Sequence, residues 1–288
     1  MKFLTFEVYH NGAIGLKLWR GYNLTGPGSG ANFERMEDHG RWDDIWQAKQ
    51  HQASGRYKSI LAKDIIYRTV RSILAREIPD PSGKQILEVG SGSGLVSLDL
   101  AQRGAHVTLV DISPEAVRYS RSVFDRTAAQ GEMIEASILD LPFQDNKFDV
   151  TWNAGVIEHF QGEEQLRALR EMLRVTKPEG RVIVAVPWAG ARTYARAKAF
   201  ADRRNMWQPG YEAPMSSFKE IAARLPAILE REYATGSMAQ LHFLKYYFAR
   251  PAWLRMAWVI LVEALSVPFF FLNTRPGYLL VAVLKKHI

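Results

Sequence analysis

Ile86-Leu87-Glu88-Val89-Gly90-Ser91-Gly92-Ser93-Gly94 joins an apolar run to a glycine-rich turn, and a helical stretch follows it over 95–103. Missing side chains in such a turn let the backbone approach a ligand closely, while the helix N-terminus beside it offers free amide donors. Outward from this segment, short apolar runs alternate with helical ones. Strands are predicted at 85–89, 106–111, 132–137, 148–153, 181–187, 227–235 and 278–284, and helices near 95–103, 114–128 and 163–175. Ser113 is a natural N-cap, with Pro114 at the first helical position. Strand–helix alternation in which polar residues do not interrupt the strands predicts an α/β, Rossmann-like, doubly wound and mostly parallel sheet covered on both faces.

Asp111 ends the second of these strands, 21 positions after Gly90. In a doubly wound sheet that position stands beside the first loop, where a carboxylate can accept both hydroxyl protons of a ribose. The loop reads Gly-x-Gly-x-Gly rather than the Gly-x-Gly-x-x-Gly of dinucleotide folds, and no Gly-Lys-Ser/Thr follows it. Glu88, just before the glycines, would repel a pyrophosphate but suits an ammonium group. A ligand with a ribose, an adenine, a cationic sulfur and an amino acid end fits these charges, and S-adenosylmethionine is that ligand. A nicotinamide-dependent reductase fits the same residues less well.

The chain here resembles the class I S-adenosylmethionine-dependent methyltransferases, in particular the small-molecule branch of the quinone-biosynthesis type. The resemblance runs over about 57–235, with a last strand near 278–284. Beside the glycine loop and Val110-Asp111, it rests on Asp140-Leu141-Pro142-Phe143, Phe148-Asp149-Val150, Val156-Ile157-Glu158-His159-Phe160 and 173–181. It implies a seven-stranded sheet with an antiparallel last strand. It also implies that Gly90, Ser91, Gly92 and Gly94 line the cofactor, with Glu88 near its amino acid end. By the same likeness Asp111 holds the ribose, Ile112 packs on the adenine, Ser137 and Ile138 meet the adenine edge, and Asn153 lies near the methionine portion. An acidic residue is usual where Ser137 stands, so the backbone of Ile138 would carry more of that contact.

His159, just beyond the fourth predicted strand, is the catalytic candidate: its ordinary pKa suits proton removal near neutrality. Capping or packing the following helix is its alternative role. Some quinone-type relatives hold a divalent metal with Glu-x-x-Glu-His; here Gly155 occupies the first position, so no metal is expected. Methylation of base amino groups uses Asn-Pro-Pro-Tyr at this strand end, and Asn153-Ala154-Gly155-Val156 departs from it.

The 288 residues contain 37 Lys and Arg, 30 Asp and Glu, 47% apolar residues and no cysteine. Disorder, disulfides and thiolate metal sites are thereby excluded. A reducing cytoplasm fits, and Glu7 and His10 interrupt the apolar start before it could form a signal core. Residues 181–288 hold 15 basic and 6 acidic residues, which suggests either an anionic partner or a solvated basic face. Residues 1–35, with six glycines, read as irregular, either as a tethered arm or as a stretch ahead of a start at Met36. A domain division at 1–80, arm and helical flap, and 81–288, cofactor-binding domain, follows. Within the flap, Met36, Trp42, Trp46 and Tyr57 either stack on the ligand or pack as core.

A hydrophobic helical insertion, 238–275, precedes the last strand, and 253–272 holds only Arg255 and Glu263 as charges. By length that run qualifies as a membrane span, but the last strand must return to the same sheet. It therefore reads as a roof over the acceptor pocket, as an interfacial segment giving peripheral contact through 241–275 at the inner membrane face, or as core. The expected acceptor is a small, apolar or lipid-like molecule, and Arg192, Arg196, Lys198, Arg203 and Arg204 are candidates to meet an anionic group on it. An RNA methyltransferase and a catalytically silent S-adenosylmethionine-binding protein at a membrane surface are the alternatives. No RNA-binding module is recognisable, so nucleic acid is not the expected partner.

Overall fold

The computed structural model describes residues 3–8, 14–19, 39–52, 64–248 and 251–286, within two compact units, Met1–Met36 and Glu37–Ile288. In the first unit, β1 (Phe3–Val8) and β2 (Ile14–Trp19) pair antiparallel, from Phe3 opposite Trp19 to Val8 opposite Ile14. This corrects the irregular reading for Phe3–Val8 and Ile14–Trp19. Apolar residues recur through both runs, and Asn11-Gly12 between them is a strong hairpin signal that the many neighbouring glycines obscure. Met36, Tyr57 and the turn-rich 26–30 lie outside the described residues.

The second unit opens with α1 (His39–Gln52) and α2 (Ile65–Glu77), so the helices grouped with an N-terminal flap fall in the same unit as the sheet. Asp64 caps α2 by accepting the amides of Ile66 at 2.8 Å and Tyr67 at 3.4 Å. Then come β3 (Gln85–Val89), α3 (Leu95–Gln102), β4 (His106–Asp111), α4 (Pro114–Asp125) and β5 (Glu132–Glu135). Ser113 caps α4 as its sequence predicts, accepting the Ala116 amide at 3.2 Å. The chain continues through β6 (Phe148–Ala154), α5 (Gly162–Val175), β7 (Thr176–Pro187), α6 (Arg192–Asp202), α7 (Lys219–Ala222) and β8 (Ala227–Gly236). Helix α8 (Ala252–Ser266) and β9 (Pro276–Lys286) end the described chain.

Seven strands make one sheet in the order β5-β4-β3-β6-β7-β9-β8. All run parallel except β9, which is antiparallel to β7 and to β8. Both faces are covered, as unbroken apolar strands require. Ile86, Val107, Leu109 and Trp152 face α2, α3 and α4 through Val70, Leu74, Leu98 and Phe124. On the other face Leu87, Val110, Val182 and Val184 meet Leu166, Leu169 and Met172 of α5. Each of these large side chains gains about 1.5–3 kcal/mol from leaving water.

The insertion between β8 and β9 folds as a 3-10 segment (Ala239–Phe248), α8, and a short 3-10 turn (Phe270–Thr274). Asn273, 2% exposed, fastens it: Oδ1 accepts the amides of Met238 at 3.0 Å and Ala239 at 3.1 Å, and Nδ2 donates to Thr69 Oγ1 at 2.7 Å. Arg68 of α2 pairs with Glu263 of α8 at 3.3 Å. No helix among the described residues is long and apolar enough to cross a membrane.

Candidate functional site

The carboxyl ends of β3, β4 and β6 bring the glycine loop, Asp111 and His159 to one edge of the sheet. Gly90 has φ +69°, and a Cβ there would lie 2.4 Å from Val156 Cγ2. Gly92, at φ +52°, would place its Cβ 2.3 Å from the indole of Trp46. Both positions thus need the left-handed backbone and the missing side chain. Gly94 then begins α3 as its N-cap.

Asp111 ties the loop down. Its Oδ2 accepts the Gly92 amide at 2.7 Å and its Oδ1 the Ser113 amide at 3.0 Å. Burial raises its carboxyl above the ordinary carboxylate range, while the amides of Ser113, Gly92 and Ile112 pull the other way. Two bonded amides leave lone pairs on both oxygens for further donors. Ile112, half-buried, stands between Asp111 and Ser113.

Glu88 is buried beside the loop, and burial pushes its carboxyl up to about 8, opposed by the Ser97 hydroxyl and aided by Asp111. Glu88 Oε2 and Ser91 Oγ make no well-formed hydrogen bond to any described residue. Buried polar atoms are seldom left so, and an acid with a hydroxyl suits the ammonium and carboxylate of an amino acid.

Helix α1 lies over this loop through Trp46, which also stacks on Tyr119 with ring centroids 5.9 Å apart. The Ser113 hydroxyl donates to Asp43 of the same helix at 2.5 Å. Ser137 and Ile138 follow β5; the Ser137 hydroxyl accepts the Leu139 amide at 3.0 Å, and Ile138 is buried in the α5 layer. Asn153 is placed differently from the rest. It is fully buried and donates from Nδ2 to Met172 Sδ at 3.1 Å on the α5 side, while its Oδ1 has no partner among the described residues.

His159 closes a 3-10 turn (Ile157–His159), and its Nδ1–H donates to the Tyr211 carbonyl at 2.6 Å. A carbonyl only accepts, so Nε2 keeps the lone pair. Burial lowers the imidazole pKa, with Arg41 and Lys198 adding to it and the Tyr211 carbonyl opposing. Trp42 stands edge-on at 5.3 Å between ring centroids. The helix-capping role falls away, because α5 has Gln161 at its N-cap and no side-chain cap bond.

Glu212 is a member of the site that sequence reading missed. One ligand-type atom from each of Glu158, His159 and Glu212 lies within 4.8 Å of the others. The position lost at Gly155 is therefore made good in space from another loop, which the Ala213 amide fixes to the Glu158 carbonyl at 3.0 Å. Burial pushes Glu212 up to about 8 and, with Glu212 near by, holds Glu158 well above its usual range. In the free protein, burial thus favours the protonated forms of both acids.

Residues 87–184 match the family model of a methyltransferase domain. Among curated proteins, the chain is 34% identical over 128 residues to a glycine/sarcosine/dimethylglycine N-methyltransferase of Actinopolyspora halophila, covering 42% of this chain and 22% of that protein. It is 28% identical over 206 residues to an uncharacterised methyltransferase of Mycobacterium tuberculosis, covering 69% and 79%. The fold matches a chain in the complex of the Haloferax volcanii Trm112 methyltransferase activator with a methyltransferase, at a TM-score of 0.58 and 19% identity, over 85% of this chain and 97% of that one. Fold, glycine loop and these likenesses define an S-adenosylmethionine-dependent methyltransferase of the class I fold. Its cofactor is S-adenosylmethionine.

Proposed function

We propose that this methyltransferase acts on an apolar, lipid-like acceptor whose polar end meets the Glu158–His159–Glu212 cluster. The supporting observation is a set of buried polar atoms without partners among the described residues: Glu158 Oε2, Glu212 Oε1, Tyr194 Oη and Trp207 Nε1. They border an aromatic wall in which Tyr194 packs on Phe243 at 4.8 Å and on Tyr278 at 5.0 Å. Burial, with Glu212 and Glu158 near by, holds the Tyr278 phenol well above its usual range. Hydrogen-bonding groups set against aromatic rings suit a molecule with a polar head and an apolar body. Phe243 and Tyr278 come from the insertion and from β9, so the wall depends on the insertion being in place.

S-adenosylmethionine supplies a methyl group already activated by its cationic sulfur. On this reading Glu88 and Ser91 bind its amino acid end, Asp111 its ribose, and Ile112, Ser137 and Ile138 surround its adenine. Holding acceptor and methyl in contact is worth up to about 7–11 kcal/mol. His159 takes the acceptor's proton on Nε2, with Nδ1 held by Tyr211.

Incubation with methyl-labelled S-adenosylmethionine and cell extracts should put label into an organic-soluble product. His159→Gln should lower that transfer by about 10²–10⁴-fold with cofactor affinity kept. The base works while unprotonated, so wild-type transfer should fall as pH drops through the lowered His159 value, below the ordinary 6.5. Label found in transfer RNA, or only in water-soluble products, would defeat the reading.

Glu88 makes a separate prediction. With a pKa of about 8 it is protonated at pH 6.5 in the free protein, and a docked ammonium favours its ionised form. Binding at pH 6.5 should release close to one proton, read by calorimetry in buffers of different ionisation enthalpy. Glu88→Gln should abolish the release; unchanged release would remove Glu88 from the ammonium.

A further inference from the structure

Helix α8 has its polarity inverted. Its one acid, Glu263, points inward, 3.3 Å from Arg68 and 3.6 Å from His242, and Val262 and Ser266 are buried with it. Outward stand Trp253, Met256, Ile260, Val267 and Phe271, each 60–66% exposed. A surface helix ordinarily turns its charges to water and its apolar stripe to the core. A contiguous exposed apolar face of this kind marks a binding surface.

A cleft of about 240 Å³ adjoins it, lined by Asn205, Met206, Gln208, Lys245, Tyr246 and Arg255. Two cations, two amides and a phenol line it, with no acid among them. Two acids act on Tyr246: Glu212, whose own carboxyl burial pushes up to about 8, and Asp202, which is taken by Lys198 at 2.8 Å. Arg255 belongs to both features: it lines the cleft and sits on α8 beside Met256. Helix α6, which packs on the 239–248 segment, adds Arg192 and Arg196, and the turn after it adds Arg203 and Arg204, all exposed. Cations beside an apolar face complement a surface that is itself anionic above and apolar beneath.

We propose that this region binds an anionic phospholipid surface: the Lys245–Arg255 cleft takes a lipid phosphate while the outward face of α8 enters the acyl boundary. The binding requires neither cofactor nor acceptor, so it is measured apart from the catalytic reading, and either can fail without the other. The full chain should float with vesicles of phosphatidylcholine mixed with phosphatidylglycerol far better than with phosphatidylcholine alone. Lys245→Ala combined with Arg255→Ala should weaken the anionic preference on the order of 20-fold, at roughly a fivefold loss per cation. Ile260→Asp, at an exposed position, should abolish flotation on both vesicles while the melting temperature stays unchanged. Four outcomes overturn the proposal: no flotation, equal flotation on both vesicle types, wild-type flotation by Ile260→Asp, or displacement by millimolar inorganic phosphate, which would make the cleft a soluble-anion site. A dimer in light scattering that Ile260→Asp dissociates, without vesicle binding, would assign the face to a second copy of the chain instead.

Discussion

Asp111→Ala is expected to weaken S-adenosylmethionine or S-adenosylhomocysteine binding by 100-fold or more. The Asp111 carboxylate performs two tasks with the same two oxygens. It holds the Gly92 and Ser113 amides at 2.7 and 3.0 Å, and on the proposed reading it also accepts the ribose hydroxyls. Removing it orphans two buried amides at about 1–3 kcal/mol each and forfeits charged hydrogen bonds to the ligand worth about 1.5–3 kcal/mol each. Either loss approaches the roughly 2.7 kcal/mol that corresponds to 100-fold. Asp111→Asn separates them in part: its carbonyl can keep one amide, while its NH2 opposes the other. A titration followed by Trp46 fluorescence reads the affinity, since that indole lies on Gly92. Affinity within a few-fold of wild type in Asp111→Ala would remove the residue from the ligand.

The second large effect is on stability. Asn273→Ala should cost about 3 kcal/mol, because it leaves the Met238 and Ala239 amides and the Thr69 hydroxyl short of partners in a buried place. At about 2–4 °C per kcal/mol for a unit of this size, the melting temperature should fall by roughly 6–12 °C. The network spans three segments, α2 through Thr69, the start of the insertion and its end, so the loss should loosen the insertion as a whole. Hydrogen exchange should then quicken first across 238–248. A melting temperature within a degree of wild type would show that packing of Val262 and Trp258 suffices without it.

From β3 onward the sheet was legible because parallel strands buried on both faces appear as unbroken apolar runs, and β3, β4 and β6 begin where those runs do. The places of Gly90, Gly92 and Asp111 were legible too, because each falls at the carboxyl end of such a run. Other parts needed three dimensions. Glu212 comes from a loop without periodicity, and only the fold brings it to Glu158 and His159. The pleat sets the direction of Asn153: Trp152 faces the α2 side, so Asn153 turns toward Met172, with its Oδ1 left without a partner among the described residues. The hairpin of β1 and β2 carried a signal, Asn11-Gly12, outweighed by the glycines around it. The three bonds of Asn273 reach partners 34 to 204 positions away, beyond any local sequence signal.

The order β7-β9-β8 places the latest strand between two made earlier. During synthesis β8 has no neighbour in the sheet until 276–286 have left the ribosome, and the insertion precedes them. Helix α8, with its greasy side outward, therefore emerges while the domain is still open at that edge. On the proposed membrane reading, a surface that captured it at that moment would do so before the sheet had closed, which would tie location to folding.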